Sequence, residues 1–474
     1  MTDRIAQFQA ELPELEWVTD EGRVARLSQD FLWFSPVLNR QLSGLRAQIA
    51  VRPRSEDEIR RVVSLCARLA VPITIRGSGT GNYGQAVPLR GGLLLDLSAY
   101  NRFLWCRDGV ARSEAGMRLA DLERALLPHG QEIRCMPSTY RSATVGGLFG
   151  GGFGGIGSIN YGPLACKGNV MGVRAMTIEA EPQCIELRGD DALSMHHMWG
   201  TNGLVLEVEL ALAPAVNWSE QLVTFASFAQ ALAFGDALAR APGIVKRELA
   251  VLSSPIPDYL RHLSQYLPQG CHAAIVALAP LSEPAFLDLV RQFGGSVSYC
   301  KRSDEVAAGN RTLLEYTWNH TTLHAMRVDN TLTYIQSAFT PGKHIEQVLL
   351  MDRLLGGEVL MHVEFIRNIE GLMTCSALQL VRFTTEERLQ QIMQIYRDNG
   401  VRINDPHVFI VEDGKAGGAL APSILQTKQR FDPQGLLNPG KVRAWMDAVS
   451  ADAQSTDAGP MRAASNISQA GGRA

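Results

Sequence analysis

The sequence predicts an α+β protein of two domains. Three observations carry that prediction. A chain of 474 residues is longer than one ordinary hydrophobic core organises. The first half alternates short apolar strands with helices around glycine-rich loops, which is how α/β layers read. After about residue 216, Ala-rich helical segments alternate with strands, and two of these are joined by a hairpin turn, as in a helix-covered antiparallel sheet.

Composition narrows the class. Apolar residues make up 46% and charged residues 20%, values of a globular chain rather than a disordered one. A net charge of −3 argues against affinity built on neutralising nucleic-acid phosphates. Met1-Thr-Asp-Arg-Ile-Ala-Gln has no apolar core of a signal peptide, and no stretch reaches membrane-spanning length. The eight cysteines are scattered without a C-x-x-C pair, the usage of reduced thiols. The expectation is a cytoplasmic location.

Residues 1–43 read as a helical extension, with Phe31-Leu-Trp-Phe34 packed on the body. A first domain spans 44–215. Ser55 and Glu58 have capping-box spacing, and Ile59, Val62, Val63 and Cys66 share one helix face. Strand 71–75 enters the glycine loop and strand 93–97 leaves it. A strand over 110–115 and a helix marked by Leu119, Leu122 and Leu126 follow. Strands are predicted over 170–179, 183–187 and 204–212, closed by Pro214. The second domain spans 216–425. There Ser282 caps a helix with Pro284 in its first turn. Strands are expected over 333–339, 358–367 and 373–382, the last two joined by Asn368-Ile-Glu-Gly371. Thr384 and Glu387 cap a helix that Gly400 stops. Residues 426–446 predict docking turns rather than regular structure, and 447–474 a disordered tail.

Two segments carry the chemistry. Arg76-Gly-Ser-Gly-Thr-Gly-Asn-Tyr-Gly84-Gln85 is dense enough in glycine for backbone N–H groups to approach an anion. The second runs from Pro137-Ser-Thr-Tyr-Arg-Ser-Ala-Thr-Val-Gly-Gly147 to Gly157. Both hold a literal G-x-G-x-x-G. The dinucleotide fingerprint needs a helix directly after its glycines, whereas Pro88 and a strand follow the first match and Ser158-Ile-Asn-Tyr-Gly-Pro163 the second.

The ordered set of Arg76-Gly-Ser-Gly-Thr-Gly, Pro137 through Thr144-Val-Gly-Gly147, the run to Gly157, Gly200-Thr-Asn-Gly-Leu-Val205 and Asp432-Pro-Gln-Gly-Leu-Leu-Asn-Pro-Gly-Lys441 resembles the vanillyl-alcohol oxidase and p-cresol methylhydroxylase superfamily. Within it the chain most resembles the flavin-binding chain of glycolate oxidase. The resemblance implies a two-subdomain FAD-binding domain of the p-cresol methylhydroxylase type plus an α+β cap. It implies that Arg76, Gly77, Ser78, Gly79, Thr80, Gly81 and Asn82 wrap the FAD pyrophosphate. Pro137, Ser138, Thr144, Gly146 and Gly147 would approach the pyrophosphate and ribityl side, and Gly203 and Val205 an end of the cofactor. Asn438 and Lys441 would complete the site. Some members tether the flavin through a His at the position of Thr80. Thr80 cannot form that bond, so non-covalent FAD is expected.

In the cap, His320 and His324 share a helix face. Without a third ligand in the sequence no metal site is predicted. His362 and Glu364 share a strand face with Leu360 and Ile366, opposite an apolar face of Val359, Met361, Val363 and Phe365. That polar face suits a substrate pocket or a solvated ion pair. His320, His362 and Glu364 are the candidate catalytic residues; Arg327, Gln379 and His407 are further polar candidates. The His-Gly-Asp-Gly-Asn-x-His segment usual in the D-lactate and glycolate branch is absent, which argues against a metal-assisted 2-hydroxy-acid mechanism. The expected function is FAD-dependent oxidation of a small alcohol or 2-hydroxy acid, with the electron acceptor and oligomeric state open. The alternatives are a flavin-carrying subunit without its own substrate site and a nicotinamide-reduced flavin reductase.

Overall fold

The computed structural model describes residues 2–306, 310–414 and 417–448. From residue 449 the expected tail lies outside the described residues.

In the first sheet Trp17–Val18, Ile49–Val51, Leu93–Asp96 and Ile73–Arg76 lie side by side in that order, the last three parallel. Leu93, Leu94 and Leu95 are all fully buried, as an interior parallel strand covered on both faces must be. Helix Glu56–Leu69 covers one face. The Ser55 hydroxyl accepts from the Glu58 N–H, three acidic residues occupy its first turn, and Ala70 ends it in the left-handed region. Residues 1–43 do more than extend the chain. Trp17–Val18 is an edge strand, and Phe8 and Leu12 enter this layer's core, Phe8 from helix Thr2–Glu11.

The second sheet is antiparallel. Its order is Phe103–Arg107, Val110–Glu114, Leu204–Pro214, Val170–Met176 and Cys184–Arg188, with Gln131–Ile133 on the far end of Leu204–Pro214. Helix Val145–Gly151 in the second glycine segment escapes sequence reasoning, because four of its seven residues are glycine and propensity disfavours it. The Thr144 hydroxyl, accepting from the Gly147 N–H, and burial of Val145, Leu148 and Phe149 stabilise it.

The cap is built on a nine-stranded antiparallel sheet. Ser219–Phe225, Lys246–Leu252, His272–Leu278 and Ser296–Arg302, with helices Phe228–Arg240 and Glu283–Gln292, form one β-α-β-β-α-β unit. Leu332–Ala338, His362–Arg367, Met373–Arg382 and Arg402–Asn404, with helices His344–Leu355 and Glu386–Asp398, repeat it. This is the ferredoxin-like arrangement, used twice and joined through Lys246–Leu252 and His362–Arg367. The four helices cover one face, whose core includes Leu249, Val251, Val363 and Phe365. Burial of this size supplies most of the driving force for the domain. The other face turns toward the FAD-binding half, where Leu378 and Ile366 join a core with Leu148 and Phe149.

Four local expectations are corrected. The cap of helix Glu386–Asp398 is Thr385, not Thr384; its side chain accepts from the Arg388 N–H. Ser282 stands at the cap position with Pro284 in the first turn, as expected, but its hydroxyl makes no capping bond and accepts instead from the Val245 N–H, 3.0 Å away. The strand expected over 358–367 breaks at Met361, where the Met361 N–H donates to the Ser253 hydroxyl. Residues 426–446 are not all turns, since helix Pro422–Phe431 runs across their start.

Candidate functional site

Strand Ile73–Arg76 delivers the first glycine loop at the end of the parallel sheet. Among the described residues, the backbone N–H groups of Ser78, Gly79, Thr80, Gly81 and Asn82 donate to no acceptor. Four buried polar atoms around the loop also lack partners: Asn82 Nδ2, Ser138 Oγ, Trp199 Nε1 and Asn438 Oδ1. An unsatisfied buried polar group costs about 1–3 kcal/mol, so such a concentration marks where ligand atoms belong. Consecutive free N–H groups form an anion-binding concavity. Gly79 sits at φ +66°, a conformation that favours glycine. At Gly77 a Cβ would overlap the Thr144 hydroxyl, so the two glycine segments meet there. The Ser78 hydroxyl donates to the Ser142 carbonyl and closes the same seam. These residues fit a pyrophosphate-bearing cofactor held by backbone hydrogen bonds.

The C-terminal return fixes this loop. The Ile73 N–H donates to the Leu436 carbonyl at 2.8 Å and the Asn438 N–H to the Ile73 carbonyl at 2.7 Å. Asn438 Nδ2 donates to the carbonyls of Gln85 and Trp199 at 2.9 and 2.7 Å. Tyr83 stacks on Trp199, with ring centroids 5.7 Å apart.

Several of the expected cofactor residues have polar groups engaged within the protein. Lys441 is fully buried, and Nζ donates to the carbonyls of Gly84, Gln85 and Val87 at 2.7, 2.8 and 2.9 Å. Arg76 donates to the Gln29 and Ser78 carbonyls. The Gly146 N–H is taken by the Ala115 carbonyl and the Gly147 N–H by the Thr144 hydroxyl. At Gly203 a Cβ would overlap Met195, and Val205 lies in the sheet opposite Ala175. The Pro137 carbonyl accepts from the Tyr140 N–H at 3.0 Å. Asp30, unnoticed in the sequence, lies under the loop and accepts from the Leu32 and Ala86 N–H groups. Burial raises its pKa, against the lowering effect of Lys441.

Across the seam, helix Trp318–Met326 opens on Trp318 at φ +51°. The Trp318 N–H donates to Glu364 Oε1 at 2.7 Å, and its ring lies directly over Gly154. His362 Nε2 is 2.7 Å from the same Oε1 and 3.4 Å from the Thr321 hydroxyl. His362 and Glu364 are fully buried, so this face is not a solvated ion pair; the two side chains belong to a buried polar network. Its third member, Glu248, comes from Lys246–Leu252, where Ala250 stands opposite Glu364. In sequence Lys246-Arg-Glu248 reads as a charged surface run, and only strand pairing brings it here. Burial raises Glu364 to about 7, and burial with repulsion from Glu364 raises Glu248 well above the usual carboxylate range. Burial lowers His362 to about 3.

His320 Nδ1 has no partner; burial first, then Arg311 and Arg327, lowers its pKa to about 4. His324 is stacked on Tyr316 and reaches the Glu315 carbonyl at 3.2 Å. His407 bridges the Ser35 hydroxyl and the Tyr334 carbonyl, Gln379 donates to the Ser337 hydroxyl, and Arg327 is exposed. No group of three or more His, Cys, Asp or Glu side chains among the described residues could hold a metal ion. Among those residues, too, no helix is long and apolar enough to cross a membrane.

Comparison with known proteins agrees with this cradle. Residues 47–182 match the family model described as an FAD binding domain. The chain is 27% identical over 219 residues to glycolate oxidase subunit GlcD of Escherichia coli (strain K12), a match spanning 44% of this chain and 43% of that protein. It thus covers less than half the length of that relative. It is 22% identical to glycolate oxidase subunit GlcD of Bacillus subtilis (strain 168), over 83% of this chain and 88% of that one. It is 24% identical to D-lactate dehydrogenase of Anaerostipes hadrus, over 84% and 90%. A solved structure of alkyldihydroxyacetonephosphate synthase superposes with a TM-score of 0.69 at 14% identity, covering 93% of this chain and 86% of the other, which establishes a shared fold. Residues 47–182 form an FAD binding domain, and FAD is its cofactor.

Proposed function

We propose that this flavoprotein oxidises a small alcohol or 2-hydroxy acid in the seam between the glycine loops and the cap. The observation that carries the proposal is Trp318. Its ring covers Gly154 and its N–H holds Glu364, so the cap's buried carboxyl pair is tied to the FAD-binding half at one residue. The glycolate and D-lactate named in the relatives support the substrate class.

FAD bound in the cradle would accept two electrons from the substrate's CH–OH carbon. Ser78 to Asn82 would hold its pyrophosphate through backbone N–H groups, with Ser138, Trp199 and Asn438 supplying the remaining polar contacts. The protein must also take the substrate's hydroxyl proton. His320 Nδ1 and Glu364 Oε2 are among the cap's buried polar atoms that have no hydrogen-bond partner, and both groups can take a proton. A general base works best with a pKa near the working pH, which favours Glu364 over His320. His362, with Nε2 on Glu364, orients that carboxylate. His320, kept neutral, is suited to hydrogen-bond the substrate, and Arg311 and Arg327, whose charges reach His320, to attract a substrate carboxylate.

The test is anaerobic bleaching of the FAD-loaded protein by a panel of hydroxy acids and alcohols. Bleaching by a member of the panel, slowed in Glu364→Gln without loss of bound FAD, is the expected result. A protein that binds FAD and is bleached by none of the panel is not an oxidase of this class.

A further inference from the structure

A cavity of about 770 Å³ opens at the junction of the cap with the FAD-binding half. Apart from Gly157, none of its lining residues belongs to the glycine segments. Five cationic side chains line it, Arg134, Arg240, Lys246, Arg247 and Arg367, against one carboxylate, Glu132. The chain as a whole is net negative, so a basic composition does not explain this lining.

The one carboxylate is already engaged. Glu132 accepts from Trp218 Nε1 at 2.9 Å and pairs with Arg247 at 3.4 Å. Arg240 is paired with Asp236. Among the described residues, Arg134, Lys246 and Arg367 have no carboxylate partner. Arg134 donates to the Leu212 and Gly168 carbonyls and lies over the Tyr161 ring. Lys246 is only 5% exposed and donates to the Ala241 and Ile244 carbonyls. Arg367 donates to the Gly371 carbonyl. Burial, and then the charge of Arg367, lowers Lys246 to about 8, and both side chains line the cavity. Buried charges are normally paired. Trp218, Ile159, Ile244 and Met373 supply an apolar wall beside them.

We infer that this cavity binds a small organic anion, with a phosphate or carboxylate group between Lys246, Arg367 and Arg134 and an apolar body against Trp218 and Met373. Charge-assisted hydrogen bonds to such a group are the strong class, and they would neutralise the three cations together. The site is separate from the seam under Trp318 and does not depend on the reaction proposed there.

The test is calorimetric titration of the full-length, FAD-loaded protein with phenyl phosphate and with benzoate, using phenol as the uncharged control. FAD loading keeps the probes out of the pyrophosphate cradle. Saturable one-to-one binding of at least one anion is expected, with none for phenol. Which probe binds identifies the head group. Arg367→Gln and Lys246→Met should each weaken binding about tenfold, the loss of one charge-assisted contact. Arg367 is exposed and makes one carbonyl contact, so its variant tests the site even where Lys246→Met fails to fold. Arg291→Gln, on exposed helix surface, should bind as the parent does. Binding should also decline from about pH 8 upward as Lys246 loses its proton. Absence of saturation by both anions, or parental affinity in Arg367→Gln, overturns the inference.

Discussion

Replacing Lys441 by Met separates a frame residue from a cofactor ligand. The ammonium is fully buried, with three carbonyls at 2.7–2.9 Å. Asp30 is the acid whose charge it feels. Met fills similar volume but leaves three carbonyls without a donor and removes the larger of the two cationic charges, Lys441 and Arg76, that act on Asp30. Removing one partner of a buried charge pair costs about 3–5 kcal/mol. For a domain of this size that lowers the melting temperature by about 6–20 °C. The assay is thermal unfolding of the protein with and without FAD, beside FAD titration by flavin fluorescence. Because Lys441 shapes the loop from beneath, the loss should appear in the FAD-free protein. Adding Asp30→Asn should recover part of it, since the less compensated carboxylate is then gone. An FAD-free melting temperature unchanged by Lys441→Met, with weakened FAD affinity, would falsify the frame assignment and make Lys441 a direct ligand.

Three further outcomes are expected. Gly79→Ala puts a side chain at φ +66° and against the Arg76 guanidinium; the left-handed penalty is about 1–2 kcal/mol, and FAD affinity, read by fluorescence titration, should fall about tenfold or more. Acid precipitation should leave the flavin in the supernatant, because Thr80 offers no tether; a yellow pellet would place a covalent link elsewhere. The rate of anaerobic flavin reduction should rise with pH through about 7, since the carboxylate of Glu364 is the proton-accepting form, and Glu364→Gln should abolish that step. The same shift acts on stability with the opposite sign. A carboxyl whose folded pKa is raised binds its proton more tightly when folded, so Glu364 contributes less to stability as pH climbs from the ordinary carboxylate range toward 7. A reduction rate flat across that range in the parent protein would remove Glu364 as the base.

Much of the scaffold was legible in sequence because it rests on local rules. The Ser55 cap, the face of Ile59, Val62, Val63 and Cys66, and the buried Leu93-Leu-Leu95 strand need only periodicity and capping chemistry. Helix Val145–Gly151 was not legible, because its glycines deny it propensity and only burial and Thr144 hold it. The duplicated cap unit was hidden for another reason. Its two halves agree in topology and not in any repeat visible along the chain.

The glycine loop itself shows where the division falls. Sequence alone determined that Arg76 to Gln85 turns sharply between two strands and can present N–H groups to an anion, since glycine spacing and flanking apolar runs are local properties. It also fixed the polar side of strand His362–Arg367, because side chains alternate with period two. Only the tertiary structure decided which groups remain free to act. Lys441, Arg76 and Gly146 spend their donors inside the protein, while the backbone N–H groups of Ser78 to Asn82 do not. Glu248 joins Glu364 only through pairing of strands more than a hundred residues apart in the chain. A hydrogen bond or a pKa depends on what stands opposite a group in space, and no residue carries that information in its own identity.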